Sequence, residues 1–343
     1  MTTPSSLDPE RRTMLLAAKL RALVKRGWSE VGAAEPTPAA GGVAIHLDGR
    51  AWILVDGTDA AQGFARALLW GLHRRVGELH VLMDRNADVP AVTRQAACFR
   101  TPITVWEVVG ADLAVVHAEP LTPEPPLDSR AEPFRDLIRS AGADPVVEWG
   151  MLSAEVVGVQ VARVRTADDG ATLEVGIGKH DRLVNQLAWG TRRPADALVP
   201  VVEAARQARL SGDRFHPLNQ LGRERWLRHR LCRQPGLVGA ARLDPIAPPR
   251  PLLDLRLPLL APAVGQGDDG AALLVACSVG FDPTFVPMAA ELHAARMPPG
   301  TALILALPEG DVHPLTQAAV SDLLAPSSIR TVADDWYRDA HDR

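Results

Sequence analysis

The chain has 343 residues, enough for about two domains, and its 47% hydrophobic and 23% charged residues give an ordinary globular balance with a sizeable core. With 37 basic and 41 acidic residues the net charge is -4, which excludes a global basic field for nucleic acid or an anionic membrane. Cys98, Cys232 and Cys277 stand far apart with no C-x-x-C, which excludes a zinc knuckle and a redox pair.

The opening "MTTPSSLDPERRTMLLAAKLRALVKRG" has no charged-then-apolar signal pattern, and Asp8-Pro9 predicts the start of a helix over 9–26. No uncharged apolar run reaches the ~18 residues of a membrane span, so the expected setting is cytoplasmic. Two apolar runs around Asp48-Gly49 predict a β-hairpin. A helix capped by Asp59 follows over 60–75, then the strand "ELHVLMD", a helix opened by Asp88, and two strands around Gly110-Ala111-Asp112. "EPLTPEPPLDSRAEP" is too rich in proline for a regular element and predicts a linker over 118–132.

Beyond it, "FRDLIRSAGA" predicts a helix, and "PVVEWG", "AEVVGVQVARVR" and "TLEVGIG" predict strands, the last two joined by "TADDG". Helices are expected in "DRLVNQLAW", "ADALVPVVEAARQARL" and "HPLNQLGRERWLRHRLCRQ", the last as one helix opened by Pro217. "APPRPLLDLRLPLLAPAV" is too proline-rich for a central element. A strand "AALLVACSVG", a helix from about Asp282, the strand "TALILALP", the helix of "DVHPLTQAAVSDLL" and the strand "SIRTV" close the chain. The domain reading is therefore 1–117, a proline-rich linker 118–132, and 133–343 with a helical insertion at about 190–235.

The stretch "DVPAVTRQAA" from Asp88 is echoed by "DVHPLTQAAV" from Asp311. Around each runs the order strand, helix, strand, helix, strand, with Gly71-Leu72-His73 matched by Glu291-Leu292-His293. The expectation is an α/β fold of two domains with mixed sheets, related by internal duplication of a β-α-β-α-β unit.

Each half also begins with a helix, a strand meander, a helix and a strand. That order resembles the restriction-endonuclease-like PD-(D/E)xK fold. The resemblance implies two strand carboxylates on a divalent metal, with a Lys two residues on to activate water. The chain has no Asp-x-Lys or Glu-x-Lys. Glu174 and Lys179 in "LEVGIGKHDR" come nearest, but residues five apart face opposite sides of a regular strand. The metal candidates are Glu148, Glu155 and Glu174. The catalytic candidates are Glu155, Glu174, Lys179 and Asp181. Mg or Mn is implied only on this reading.

Other motifs fail on context. "GQGDDG" precedes a strand instead of following one, so it reads as a turn and not a dinucleotide fingerprint. There is no H-E-x-x-H and no G-x-S-x-G.

"RERWLRHRLCR" carries five arginines and one Glu, a local charge of +4. A basic helix with an aromatic can grip phosphates and stack a base, which makes Arg223, Arg225, Trp226, Arg228 and Arg230 candidates for nucleic-acid binding. The same pattern also fits a solvated face whose Trp226 packs inward and whose arginines pair with acids.

"EVVGVQVARV", "LEVGIGKHDR", "HPLNQLGRERWLR" and "ACSVGFDPTFVP" resemble an uncharacterised family of actinobacterial proteins across most of 150–330. The resemblance implies a bacterial, GC-rich host and carries no activity. The missing catalytic constellations point to a non-catalytic binding or scaffold protein with an inactive nuclease-like core. The alternative is a divergent metal-dependent nuclease acting on DNA or RNA. The expected partner is a nucleic acid or a protein, not a membrane, and exposed sheet edges would allow a homo-oligomer.

Overall fold

The computed structural model describes residues 8–28, 31, 34–39, 41–57, 59–84, 88–178, 181–183 and 194–338. In chain order they form helix α1 (Pro9–Gly27), strands β1 (Thr37–Ala39), β2 (Gly42–Leu47) and β3 (Arg50–Val55), helix α2 (Ala60–Arg74), β4 (Glu78–Asp84), α3 (Val89–Ala96), β5 (Ile103–Val109) and β6 (Asp112–Val115). Then come α4 (Phe134–Ser140), β7 (Asp144–Glu148), β8 (Met151–Val156), β9 (Val159–Ala167) and β10 (Gly170–Val175). Helices α5 (Pro194–Leu210) and α6 (Arg223–Arg233) precede β11 (Ala240–Pro245), β12 (Ala261–Gly267), β13 (Ala272–Cys277), α7 (Phe285–Arg296), β14 (Ala302–Pro308), α8 (Pro314–Ser321) and β15 (Ser327–Val332). The architecture is α/β. No helix among the described residues is long and apolar enough to cross a membrane.

The chain forms two compact units. The first takes residues 1–121 together with 286–295 and 313–325; the second takes 122–285, 296–312 and 326–343. In the first unit the sheet order is β1-β2-β3-β4-β5-β6. Strands β3, β4 and β5 run parallel and the outer pairs antiparallel. Alternation along β3 divides its side chains between two faces. Trp52 and Leu54 join Leu20, Leu23 and Val24 of α1 in one core. Val55 faces the other way, onto Gly63 of α2, where a Cβ would come within 2.1 Å of it. The segments after α3 and α8 pair through the isolated antiparallel bridge Phe99–Leu323. Arg100 N donates to Asp322 O at 2.7 Å and Leu324 N to Cys98 O at 2.9 Å. Buried Glu291 of α7 accepts from Arg94 Nε and Gln95 Nε2 of α3 at 2.7 and 2.9 Å.

The second unit has two sheets. One, β10-β9-β8-β7, is antiparallel throughout. The other, β11-β12-β13-β14-β15, is antiparallel over its first three strands and parallel over its last three. That order and sense repeat those of β1 to β5. The ten-residue echo itself lies out of register with the helices. Helix α3 begins one residue after Asp88, and α8 three residues after Asp311. The α8 cap is His313, whose Nδ1 accepts from Leu315 N at 3.1 Å, whereas Asp311 accepts from Gly280 N at 2.6 Å.

Three sequence expectations are corrected in this unit. "AEVVGVQVARVR" is two strands, β8 and β9, broken at Val157-Gly158 where both residues adopt positive φ. "HPLNQLGRERWLRHRLCRQ" is a 3-10 turn over Pro217–Gln220 and then α6, because Gly222 at φ 55° takes a left-handed turn between them. The proline-rich stretch ends in β12, which lies between β11 and β13 with Pro262 inside it. Pro262 stands next to the strand's first residue, and its carbonyl still accepts from Ile246 N at 3.1 Å.

Candidate functional site

In the second unit two of the acids proposed for a metal, Glu148 and Glu155, meet two of the arginines proposed for nucleic acid, Arg225 and Arg228. Glu148 ends β7 and Glu155 lies in β8. The β8–β9 register shifts at Ala154/Glu155, an irregularity of the kind that re-aims a side chain. Arg225 and Arg228 stand three apart on α6, so they share a face. All four residues are buried.

Every carboxylate oxygen of the two acids has a guanidinium partner. Arg225 Nη2 pairs with Glu148 Oε2 and Arg225 Nη1 with Glu155 Oε1. Arg228 Nη1 donates to Glu148 Oε1 at 2.8 Å, and Arg228 Nη2 reaches Glu155 Oε2 at 3.5 Å. Arg228 Nη1 also donates to Ile246 O at 3.1 Å. Burial alone would raise the Glu148 carboxyl, but Arg225 and Arg228 together outweigh it and hold it below the ordinary carboxylate range. Burial likewise works against the charge on Arg228, and Glu148 and Glu155 overcome it, so the guanidinium holds its proton more tightly than usual.

Glu174 does not join this cluster. On β10 its Oε2 accepts from Arg163 Nε at 2.9 Å, and its Oε1 pairs with Arg165 Nε at 3.0 Å, both from β9. All six oxygens of the three metal candidates thus face arginines. A divalent cation needs those oxygens free, so this donor set does not fit one. Among the described residues no group of three His, Cys, Asp or Glu side chains could hold a metal. Asp181 is exposed, and Lys179 lies outside the described residues.

Of the proposed nucleic-acid residues, Trp226 packs into the second sheet's core, edge-on to Trp336 at 5.2 Å and beside Tyr337. Arg209 of α5 lies over its ring at 4.2 Å and is fully buried. Burial lowers that guanidinium to about 9. Its Nη2 donates to Leu221 O at 2.7 Å, and its Nε and Nη1 have no hydrogen-bond partner among the described residues. Arg223 and Arg230 are half-buried on α6.

What fixes α6 against β8 and β9 is the turn Val157-Gly158. Val157 at φ 47° is a β-branched residue in the left-handed region, and it packs against both cores of the second unit. A Cβ on Gly158 would lie 2.4 Å from the Arg225 carbonyl carbon. Gly158→Ala is expected to cost about 2–4 kcal/mol through backbone overlap and left-handed strain, read as a lowered urea midpoint. A midpoint within error of wild type would show that α6 can shift without loss.

Arg139 of α4 and Arg206 of α5, which line a cavity together with Glu155, Arg225 and Arg228, had no signal in the sequence beyond being arginines on helices. The pairing itself had one. Two acids in apolar strands demand counter-charges, and the most basic segment spaces two arginines to supply them. Comparison with protein-family models, curated proteins and solved structures finds no match to this chain.

Proposed function

We propose that this chain is a non-catalytic binding or scaffold protein whose second-unit acids serve as internal counter-charges. The supporting observation is the engagement of all four Glu148 and Glu155 oxygens by Arg225 and Arg228. Carboxylate oxygens engaged this way are not free to ligate a metal, and the two guanidiniums hold Glu148 in its charged form, so it does not move a proton near neutrality. The shared strand order and sense of β1–β5 and β11–β15 support descent of the two sheets from one duplicated unit.

The test incubates labelled single- and double-stranded DNA and RNA with the full chain, with and without Mn²⁺, at low and moderate salt. No metal-dependent cleavage is expected. Cleavage that needs Mn²⁺ and disappears in Glu174→Gln would replace this reading with the divergent nuclease. Salt-sensitive binding that weakens in Arg223→Ala/Arg230→Ala would make nucleic acid the partner. Retention of the scaffold reading with no nucleic-acid binding would leave a protein partner or a second copy of the chain.

A further inference from the structure

Between β7, β8 and α6 of the second unit opens a pocket of about 430 Å³, within the range that holds small molecules. We propose that it binds a small phosphate-bearing molecule. This deepens the non-catalytic binding reading and rests on it.

The floor of the pocket is Glu155 with Arg225 and Arg228. With Glu148 behind them, these four charges cancel. The excess comes from the rim, where three helices each contribute an arginine: Arg139, Arg206 and Arg233. His229 also lines the pocket, and its Nδ1 stands 3.6 Å from Asp144, the one further acid of the lining. The residues that line the cavity therefore sum to a positive charge above a neutral base, while the acids that pair with Arg139 and Arg206 stand outside the lining.

The rim arginines are placed to be recruited. Arg206 Nη2 donates to Gly142 O at 2.5 Å, which anchors the guanidinium at the mouth. Its carboxylate contact, Glu203, is 3.8 Å away and 56% exposed. Arg139 pairs with Asp136 at 3.0 Å, but that carboxylate is 93% exposed. Exposed i,i+3 pairs of this kind contribute little and are screened by salt. A phosphate with several acceptor oxygens offers each fork a charge-assisted, bidentate alternative. Pro145, Val146, Val156 and Pro245 complete the walls, so the cavity also accepts an apolar group attached to the phosphate.

The probe is inorganic pyrophosphate, titrated calorimetrically into the full chain at low salt, with sodium sulfate at matched ionic strength as the competitor. Saturable binding below millimolar pyrophosphate is expected, at least ~tenfold weaker in Arg139→Ala/Arg206→Ala. These two residues lie outside the Glu148–Arg228 cluster, so the variant should still unfold cooperatively without ligand, with a midpoint lowered only by the loss of the Arg206–Gly142 O hydrogen bond. Arg26→Ala, in the other unit, should bind like wild type. Absence of saturable binding, equal affinity in the rim variant, or equal affinity for sulfate would overturn the pocket while leaving the non-catalytic reading intact. Metal-dependent hydrolysis of pyrophosphate with affinity preserved would do the reverse.

Discussion

Arg228→Met should lower the stability of the protein by about 3–5 kcal/mol, because it leaves Glu148 and Glu155 buried with half their counter-charge. The loss should depend on pH in a defined direction. In the wild type the Glu148 carboxyl is held low, so it contributes stability above its unfolded pKa that is lost as pH falls through the folded value. In Arg228→Met the burial of Glu148 is no longer fully opposed, and its carboxyl is driven toward the protonated form. The variant should therefore recover part of its deficit as pH is lowered from 7 to 5. Replacing all four charges together (Glu148→Leu/Glu155→Leu/Arg225→Met/Arg228→Met) should restore stability to within about 2 kcal/mol of wild type, since apolar packing removes the desolvation cost with the attraction. Urea unfolding at pH 5 and 7 reads all three effects. A single variant as stable as wild type at both pH values would mean that the cluster contributes nothing.

Glu224→Gln should act in the opposite sense. Glu224 lies in the first turn of α6, a favourable place for a negative charge, yet it is buried. Burial raises its carboxyl to about 7; Asp282 adds to the rise, while its own backbone hydrogen bond, Arg223 and Arg225 oppose it. A carboxyl whose folded pKa is raised binds more protons in the folded than in the unfolded state. Stability therefore falls as pH rises from the unfolded value toward 7, and the full cost is present above it. The shift corresponds to roughly 3 kcal/mol. Glu224→Gln keeps the shape without the charge, so it should stabilise the protein at pH 8 and leave it nearly unchanged at pH 5. Thermal midpoints at the two pH values decide it; a difference that does not vary with pH would place the Glu224 carboxyl in the ordinary range.

The fold was legible where local chemistry speaks through one or two residues. Asp48-Gly49 turns β2 into β3 with φ of 51° and 76°, the pair of left-handed residues that such a hairpin requires. Asp59 caps α2 by accepting from Gln62 N at 2.9 Å. The Val157-Gly158 turn was not legible, because valine carries no turn signal and its left-handed conformation is imposed by packing on two cores. Nor was the break at Gly222, which tertiary contact selects: its N–H donates to Leu255 O at 3.0 Å. At the site, both sets of charges stood out from composition and spacing. Their mutual pairing did not, since it depends on a distance of 70 to 80 residues along the chain closing to hydrogen-bond length. Read separately, each set points to an external ligand; together they satisfy each other.

The first unit is assembled from three separated stretches of chain, the last ending at residue 325. On a ribosome its sheet strands emerge early, but α7 begins 285 − 115 = 170 residues after the end of β6 and α8 begins 314 − 115 = 199 after it. At ordinary elongation speeds that is a delay of about 10–40 s. During that interval the face awaiting α7 and α8 is incomplete, so nascent chains stalled before residue 286 should be held by chaperones or cut by proteases. Chains released past 325 should resist both. A fragment ending at residue 121 should behave as an unfinished intermediate however long it is given to fold.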